Sequence, residues 1–509
     1  MRKITRRSVV ATGASAGLLL TAPPLFKPAS AQTVSTRYSA TSARGKEMLK
    51  LYAQAVDIMN NKIPKGDPRN WDFQWYTHWI PGEQSDWPLV AANKAKAIDE
   101  AFKGKPADDP NRKLAEQMWD DCQAHGYNPN EPTYFQEIFF LPWHRYFVFY
   151  FEDIIRNVLQ KPDFTLPYWD YLGPAPASAS IPPEFRDPKS PLYRANRNLG
   201  VNKGDPVDVG DGRNRLRSTA FREMRYINQA NGRIGFCPQL DGNPHGAIHV
   251  DVGDDTNMGQ VPTAAGDPVF WLHHCNIDRL WESWNRLPGR LNPRWPDRNF
   301  IFANGSGGKV TAPCAGADRV ALLGYRYDTY YVPAGLPAPP PAASVAALAV
   351  ATAPTEVKAQ ATARMALGNA PTRVTMSPPA APLAGRPAAL QLAAPRGARN
   401  LYLVLGDITL SARPKQLVYD VYLDLPAGAK ATPADPHYVG TMDFFHIATG
   451  HSHGPSSHHS SVVFNVTDVV KKLRQAGGLR ADASVTLIPS GQMQPGTEAS
   501  VGSIQLIEN

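Results

Sequence analysis

The spacing of apolar residues changes once along the chain, near residue 332. Apolar positions between residues 42 and 61 follow the helical period, as do charged and apolar positions between 84 and 121. The stretch 142–159 is apolar and aromatic on every face, which predicts a deeply buried helix. The first part of the chain is therefore predicted to be mainly α-helical.

After residue 332 the pattern is different. Residues 332–354 are dominated by Pro and Ala and are typical of a semi-rigid linker. From residue 355 apolar residues alternate in short runs, as at Leu401, Leu403 and Leu405, with a single short helix predicted at 468–475. This pattern predicts an all-β C-terminal domain, either a sandwich-like pair of sheets or a jelly-roll-like barrel.

The first 31 residues have the features of an export signal. Thr5-Arg6-Arg7-Ser8 opens a twin-arginine pattern, an apolar region follows over residues 9–20, and Ala29-Ser30-Ala31 is a small-residue cleavage site. A membrane anchor is the less favoured alternative, because this apolar run is too short to span a bilayer. We therefore expect a signal peptide at 1–31, export by the twin-arginine pathway to the periplasm or medium, a first domain at 32–331, a linker at 332–354 and the β domain at 355–509.

Charge and cysteine content narrow the functional classes. The net charge is +8, but five of the basic residues lie in the first 31 positions, where there is no acidic residue. The remainder carries too little positive charge to indicate a nucleic-acid or membrane partner. Four cysteines are too few for a disulfide framework in a chain of 509 residues, although one or two bridges stay open.

The chemistry-bearing residues are histidines. His245 and His249 are four residues apart, so on a helix both imidazoles leave the same face. Asp267 as N-cap and Pro268 at the first helical position predict a second helix that carries His273. Three convergent imidazoles suit zinc, copper, iron or nickel, and the spacing alone does not select one of them.

A second set of three is available in the first part of the chain. Apart from His245, His249, His273 and His274, its only histidines are His78, His125 and His144. Two three-histidine sets would form a dinuclear centre, in which two metals hold one small ligand between them. A zinc pair normally recruits carboxylate ligands, and no such carboxylate pattern accompanies these histidines.

Four motifs give the chain a resemblance to a known family. They are Phe140-Leu-Pro-Trp-His-Arg-Tyr146, Pro167-Tyr-Trp-Asp170, Asp267-Pro-Val-Phe-Trp-Leu-His-His-Cys-Asn-Ile-Asp-Arg-Leu-Trp281 and Gly324-Tyr-Arg-Tyr-Asp328. Together they resemble the type-3 copper polyphenol oxidases, namely tyrosinases, catechol oxidases and their haemocyanin relatives. The order of motifs is most similar to long bacterial tyrosinases with a C-terminal domain, over residues 44–331 well and over the tail more loosely. The resemblance implies a four-helix-bundle core, two copper ions, and a phenolic substrate oxidised with O2.

The resemblance places His78, His125 and His144 on one copper and His245, His249 and His273 on the other. At His125 the chain departs from the family, which usually has its second ligand nine residues before the third, where this chain has Phe135. Phenylalanine cannot bind copper, so we infer an insertion that moved the ligand to His125. In many relatives a nearby cysteine forms a thioether to this ligand, and Cys122 is the candidate, with a free buried thiol as the alternative.

Further residues around the metals are assigned by the same resemblance. His274 is expected to support the ligands or line the substrate pocket without binding metal, and Asn276 and Asp278 to orient imidazole N–H groups, with capping or solvation as their alternative role. In this family the residue after the first ligand of the second set, with a nearby acid, helps to deprotonate a phenol. Here those residues are Gly246, which has no side chain, and Asp241, which is shorter than glutamate. This favours o-diphenol oxidation, with weak or absent hydroxylation of monophenols.

The remaining alternatives concern function and the tail. An o-aminophenol oxidase, a haemocyanin-like oxygen-binding protein and a protein with a broken site all stay open. The β domain resembles those that cover the copper site in latent polyphenol oxidases, so we expect a shield that cleavage within 332–354 releases. The histidine-rich stretch 446–459 is interpreted as a solvated loop, or alternatively as a loop that captures copper.

Overall fold

Helices and strands separate along the chain as the periodicity predicts, in a computed structural model. It describes residues 34–78, 99–123, 138–173, 176–207, 220–227, 235–254, 256–333, 356–377, 401–412, 417–429, 431–445, 462–477 and 483–508. The predicted signal peptide, His125, the histidine-rich stretch and all but the first two linker residues lie outside these ranges. No helix in the described part of the chain has the length and apolarity needed to cross a membrane.

The first part is built from helices with short strands at its margins. The α-helices are α1 (Ala43–Asn61), α2 (Trp71–Tyr76), α3 (Pro110–Gln123), α4 (Phe140–Leu159), α5 (Phe236–Leu240), α6 (Ala247–Val252), α7 (Val261–Ala264) and α8 (Val269–Asn285). The strands here are β1 (Ser35–Arg37), β2 (Asn299–Ala303), β3 (Lys309–Pro313) and β4 (Tyr325–Tyr327). β2 and β3 form an antiparallel hairpin, whereas β1 pairs with β4 in parallel.

Local sequence explains where the long helices begin. Ser42 caps α1, because its side chain accepts a hydrogen bond from the backbone N–H of Gly45. α4 starts two residues earlier than its apolar run suggests, and Pro142 is accommodated in its first turn, where no intrahelical N–H bond is required. The prediction of a deeply buried aromatic helix is confirmed.

α4 packs on α8 through large aromatic side chains. The rings of Phe151 and Trp271 are stacked with centroids 3.5 Å apart, and Phe147 lies 4.6 Å from Trp271. Every residue of α8 from Val269 to Asn285 is buried. Such a helix has no solvent face, so its position is set by packing on all sides.

A buried ionic network fixes the same two helices beside the core. Asp278 of α8 forms an ion pair with Arg145 of α4 and lies 3.3 Å from a guanidinium nitrogen of Arg37 in β1. The hydroxyl groups of Tyr325 and Tyr327 in β4 donate to the same carboxylate at 2.6 and 2.5 Å. Asp278 therefore connects α4, α8 and the β1–β4 pair at one point.

The described residues of the second part form two large sheets, one small sheet and one helix. Its elements are β5 (Glu356–Ala361), β6 (Met365–Leu367), β7 (Thr372–Thr375), β8 (Leu401–Gly406), β9 (Thr409–Leu410), β10 (Val418–Leu423), β11 (Tyr438–Met442), β12 (Val462–Asn465), α9 (Thr467–Gln475), β13 (Ser484–Ser490), β14 (Ala499–Val501) and β15 (Ser503–Glu508). The predicted short helix is confirmed, one residue longer at its start.

The strands form separate sheets. Their orders are β11-β10-β13-β7, β12-β8-β15-β5 and the smaller β6-β14-β9. Leu403 and Leu405 of one large sheet share a core with Val421, Leu423 and the other strands of the second. The arrangement is thus sandwich-like. The described strands do not close into a barrel, which was the alternative prediction from the sequence.

Candidate metal centre

The segment that carries His245 and His249 is a tight turn followed by a helix. The chain leaves helical geometry at Asn243 (φ −151°, ψ 126°), within a wide turn over Asp241–Gly246, and then enters α6. The two rings nevertheless leave the same side, with their Nε2 atoms 3.1 Å apart. The predicted convergence of this pair is therefore present, although on an interrupted helix.

The helix of His273 begins one residue later than predicted. Its first residue is Val269, and Pro268 precedes it. Asp267 still caps the helix start, since its carboxylate accepts the N–H of Val269 at 3.0 Å. Arg197 holds that carboxylate with two bonds of 2.7 and 2.8 Å. This arrangement fixes the entry of α8 and, one turn later, the position of His273.

The first set comes from distant parts of the chain. His78 follows α2, and His144 lies in the first turns of α4. Their Nε2 atoms are 3.1 Å apart, the same separation as in the second set. His125, the predicted third member, lies outside the described residues, and so does the side chain of Cys122.

Hydrogen bonds orient four of these imidazoles in the same way. In each ring Nδ1 faces a backbone carbonyl oxygen, at 3.1 Å for His78 to Val261, 2.8 Å for His144 to Phe140, 3.2 Å for His245 to Asp241 and 2.7 Å for His249 to Met258. A carbonyl only accepts, so Nδ1 carries the proton and donates it. This leaves Nε2 as the nitrogen that can bind a metal.

The paired Nε2 atoms fit a shared metal ion. In each pair both Nε2 atoms lack a proton, so their separation of 3.1 Å is not a hydrogen bond. That separation is close to the one expected for two nitrogens bound to one ion at about 2.0 Å each. The donor set is nitrogen only, which fits the copper that the family resemblance implies.

Burial keeps the second set in its metal-binding form. His249 and His273 are both 0% exposed. Burial lowers the pKa of each imidazole well below its usual value, and the neighbouring His245 lowers both further. Neutral imidazole is the form that coordinates metal, so the site is prepared for binding rather than for protonation.

His274 lies between the two sets. Its ring stacks on His144 with centroids 4.2 Å apart and lies 5.0 Å from His245. One ligand atom each from His245, His249, His273 and His274 fall within 4.8 Å of one another. The geometry thus offers four nitrogens on this side, and the assignment of His274 to a supporting role rather than to coordination stays a prediction.

Asp241, predicted as an acid near the substrate, and Asn276 and Asp278, predicted to orient imidazoles, lie in different surroundings. Asp241 lies beside the ring, with a carboxylate oxygen 2.8 Å from Nδ1 of His245. Asp278 belongs to the buried network with Arg37 and Arg145, and Asn276 accepts a hydrogen bond from Arg279 at 3.1 Å. Among the described residues, neither Asp278 nor Asn276 has a hydrogen bond to an imidazole.

Residues of the C-terminal domain reach this centre; a covering domain was expected from the sequence, but not which of its residues would lie here. The ring of Phe445 stacks on His249 with centroids 4.2 Å apart and planes within 11°. A Cβ at Gly246 would lie 2.9 Å from the carboxylate of Asp443, so the absence of a side chain there leaves room for that group. The adjacency of Phe444-Phe445 to the histidine-rich stretch is the single sequence signal that could have drawn attention to them.

Comparison with protein families gives two matches. The common central domain of tyrosinase matches residues 69–287, and a domain of unknown function (DUF7868) matches residues 354–509. The first range includes the ligand candidates of both sets, and the second includes Phe445.

Individual relatives agree with the family match. Tyrosinase HcTyr1 of Hahella sp. (strain CCB-MM4) is 28% identical over 494 residues, which cover 90% of this chain and 96% of that protein. The chloroplastic polyphenol oxidase of Malus domestica is 28% identical over 290 residues, and the match spans only 48% of its length. The structure of latent apple tyrosinase superimposes with a TM-score of 0.60 at 21% identity, covering 95% of this chain and 99% of that one, which shows a common fold.

Proposed function

Since the chain belongs to the tyrosinase and polyphenol oxidase family of type-3 copper phenol oxidases, we propose that it oxidises o-diphenols to o-quinones with O2. The observation that carries this proposal is the pair of matching imidazole arrangements, each with Nδ1 on a carbonyl and Nε2 atoms 3.1 Å apart. Two similar metal sites side by side suit a substrate that two ions handle together.

In this proposal the residues divide into two ligand groups. His78, His144 and the predicted His125 hold one copper, and His245, His249 and His273 hold the other. When bound, the two copper ions supply a centre that takes up dioxygen and accepts the two electrons that a diphenol loses on becoming a quinone. The reaction balances when two diphenols and one O2 give two quinones and two water molecules.

The protein itself supplies orientation and exclusion of water. Backbone carbonyls hold four imidazole rings by Nδ1, so their Nε2 atoms need no rearrangement to bind metal. The rings of Phe140 and Phe270 form apolar walls, 4.7 Å from His245 and 4.7 Å from His78 respectively. A planar phenol can lie against such a wall with its oxygen atoms towards the metals.

The surroundings of His245 favour diphenols over monophenols. Gly246 has no side chain with which to bind the incoming hydroxyl group, and the carboxylate of Asp241 lies 2.8 Å from Nδ1 of His245. An acid that orients the ligand ring is not aimed at a phenol in the pocket. Hydroxylation of monophenols is therefore proposed to be weak or absent.

Oxygen uptake with matched substrates tests this specificity. We expect rapid uptake with a catechol, and slow uptake after a lag with the corresponding monophenol. Comparable rates on both without a priming diphenol would contradict it. Adding the matching o-aminophenol to the panel separates an aminophenol oxidase, and an oxygen carrier would bind O2 without forming quinone.

We also propose that the C-terminal domain shields the substrate entrance, with cleavage within 332–354 as part of activation. Phe445 covers His249, and it packs with Val418 against Val250 and Val261 of the helical part. A structural relative is described as latent. A chain that ends at Tyr331 should oxidise catechol faster than the full chain, and equal rates would contradict shielding.

Export by the twin-arginine pathway is a further part of the proposal. It depends on Arg6 and Arg7 and on the cleavage site after Ala31. Replacing both arginines by lysine should retain the protein inside the cell, and unchanged export would contradict it.

A further inference from the structure

A second contact between the two parts of the chain lies at Glu223. This side chain is 0% exposed, and both of its carboxylate oxygens accept hydrogen bonds from the C-terminal domain. The hydroxyl of Tyr402 in β8 donates at 2.9 Å, and the side-chain amide of Asn465 at the end of β12 donates at 2.7 Å. The contact does not involve Phe445.

The strand pattern explains why Tyr402 reaches across. Leu401, Leu403 and Leu405 face the core between the two large sheets. Tyr402 alternates with them and belongs to a small cluster with Ile507 on the opposite face. Its hydroxyl is therefore presented to the helical part rather than to the interior of the β domain.

The helical part holds Glu223 in place for this contact. The indole N–H of Trp284 in α8 donates to the backbone carbonyl of Glu223 at 2.7 Å. The next residue, Met224, accepts the N–H of Leu291 at 2.9 Å. The backbone at Glu223 is thus fixed, so docking of the β domain has to order only the side chain.

The energetics make this a strong contact. A buried carboxylate without donors is costly, whereas hydrogen bonds to a charged group are roughly twice as strong as neutral ones. A neighbouring ion pair between Arg222 and Asp468 has both side chains more than a third exposed, so solvent and salt weaken it. Two neighbouring polar contacts therefore form this interface: the buried one at Glu223 and the solvent-exposed pair of Arg222 with Asp468.

We infer that Glu223 is a clamp which keeps the C-terminal domain bound after the connecting segment is cut. This inference rests on the shielding role proposed above and adds a second step to it. Cleavage within 332–354 breaks the chain but leaves the clamp, so the shield leaves only when the two halves dissociate.

The test uses the full chain with a site-specific protease sequence inserted within 332–354. After cutting, the dissociation constant of the two halves is measured by dilution and size-exclusion chromatography. Asn465→Asp is the informative variant, because its oxygen still accepts the N–H of Thr467, at 3.1 Å in the native protein, while its amide donor becomes a second carboxylate. We expect the cut wild-type chain to stay associated and Asn465→Asp to weaken association roughly tenfold to a hundredfold.

Tyr402→Phe provides a second variant that removes a hydroxyl alone, with a weakening of about tenfold expected. Asp468→Asn is the matched control from the same interface and should change association less than about fivefold. Immediate separation of the cut wild-type halves overturns the clamp, and so does an Asn465→Asp value equal to that of Asp468→Asn. Catechol oxidation by the separated helical half is measured in parallel, so that inactivity there counts against the proposed function and not against the clamp.

Discussion

His245 and His249 lie four residues apart, and one wide turn and one short helix orient both rings. His78 and His144 are 66 residues apart and meet only because the fold brings α2 beside α4. Both pairs nevertheless have the same 3.1 Å separation between Nε2 atoms. The His245–His249 pair is thus largely specified by local sequence, whereas the His78–His144 pair depends on tertiary structure.

The orientation of His78 shows how far that dependence extends. Its Nδ1 bonds to the carbonyl oxygen of Val261, 183 residues away and close to the second set. The side chain of Val261 also packs with Phe445 of the C-terminal domain. Val261 therefore couples the first set to the second set and to Phe445, and such a coupling acts in both directions.

The strongest test of the comparison removes one local ligand. His249→Asn deletes a fully buried nitrogen of the second set, and catechol oxidation should fall more than about a hundredfold, since changes even to groups that only support a ligand cost up to that much. The variant should keep copper at the first set. His437→Asn, in the β domain, is the control and should retain wild-type rates; activity in His249→Asn above a tenth of wild type would contradict the assignment.

A second test weakens the ionic network that joins α4, which carries His144, to α8, which carries His273. Asp278→Asn removes the charge that Arg145 and Arg37 share, and Arg145 directly follows His144 on α4. Breaking a buried ion pair on one side costs about 3–5 kcal/mol, so the free energy of unfolding should fall by that amount. Urea denaturation measures it.

The control for that test is Asp163→Asn, which breaks an exposed pair with Arg44. Its effect should stay within about 1 kcal/mol. Equal losses in the two variants would show that the Asp278 network does not hold α4 to α8 as described.

The smallest expected effect concerns the shield. Phe445 stacks on His249 of the second set, so Phe445→Ala in the full chain should open that side and raise catechol oxidation about threefold to tenfold. Initial rates of quinone formation measure this. Leu322→Ala, at a residue that is 64% exposed, should leave the rate unchanged; a matching rise there, or none in Phe445→Ala, would count against the shield.

Sequence reasoning succeeded where the signal is periodic or local. The spacing of apolar residues predicted α1, α4, α9 and the strands around Leu403 and Val421, and the four-residue spacing predicted the pairing of His245 with His249. Their positions follow from hydrogen bonds and packing between near neighbours, which a short window of sequence contains.

Prediction from sequence failed where two segments that are distant along the chain meet in the fold. The contacts of Phe445 with His249 and of Tyr402 with Glu223 join the two parts of the chain. In the sequence, Tyr402 is an ordinary strand aromatic, and Phe445 differs from one only by its position beside the histidine-rich stretch. Asp278 was expected at an imidazole, but it bonds to Arg145, whose guanidinium only the fold brings near. The break at Asn243 has a local cause that the helical spacing of the histidines concealed, because the residue before Pro244 is disfavoured in helical geometry.

The central claim is a pair of copper sites built from two histidine sets, and copper content per chain tests it most directly. The purified full chain, gel-filtered to remove loose metal, should contain close to two copper ions, and His125→Ala should contain close to one while keeping its folded helical signal. One copper in the wild-type chain, or two in His125→Ala, would contradict the account.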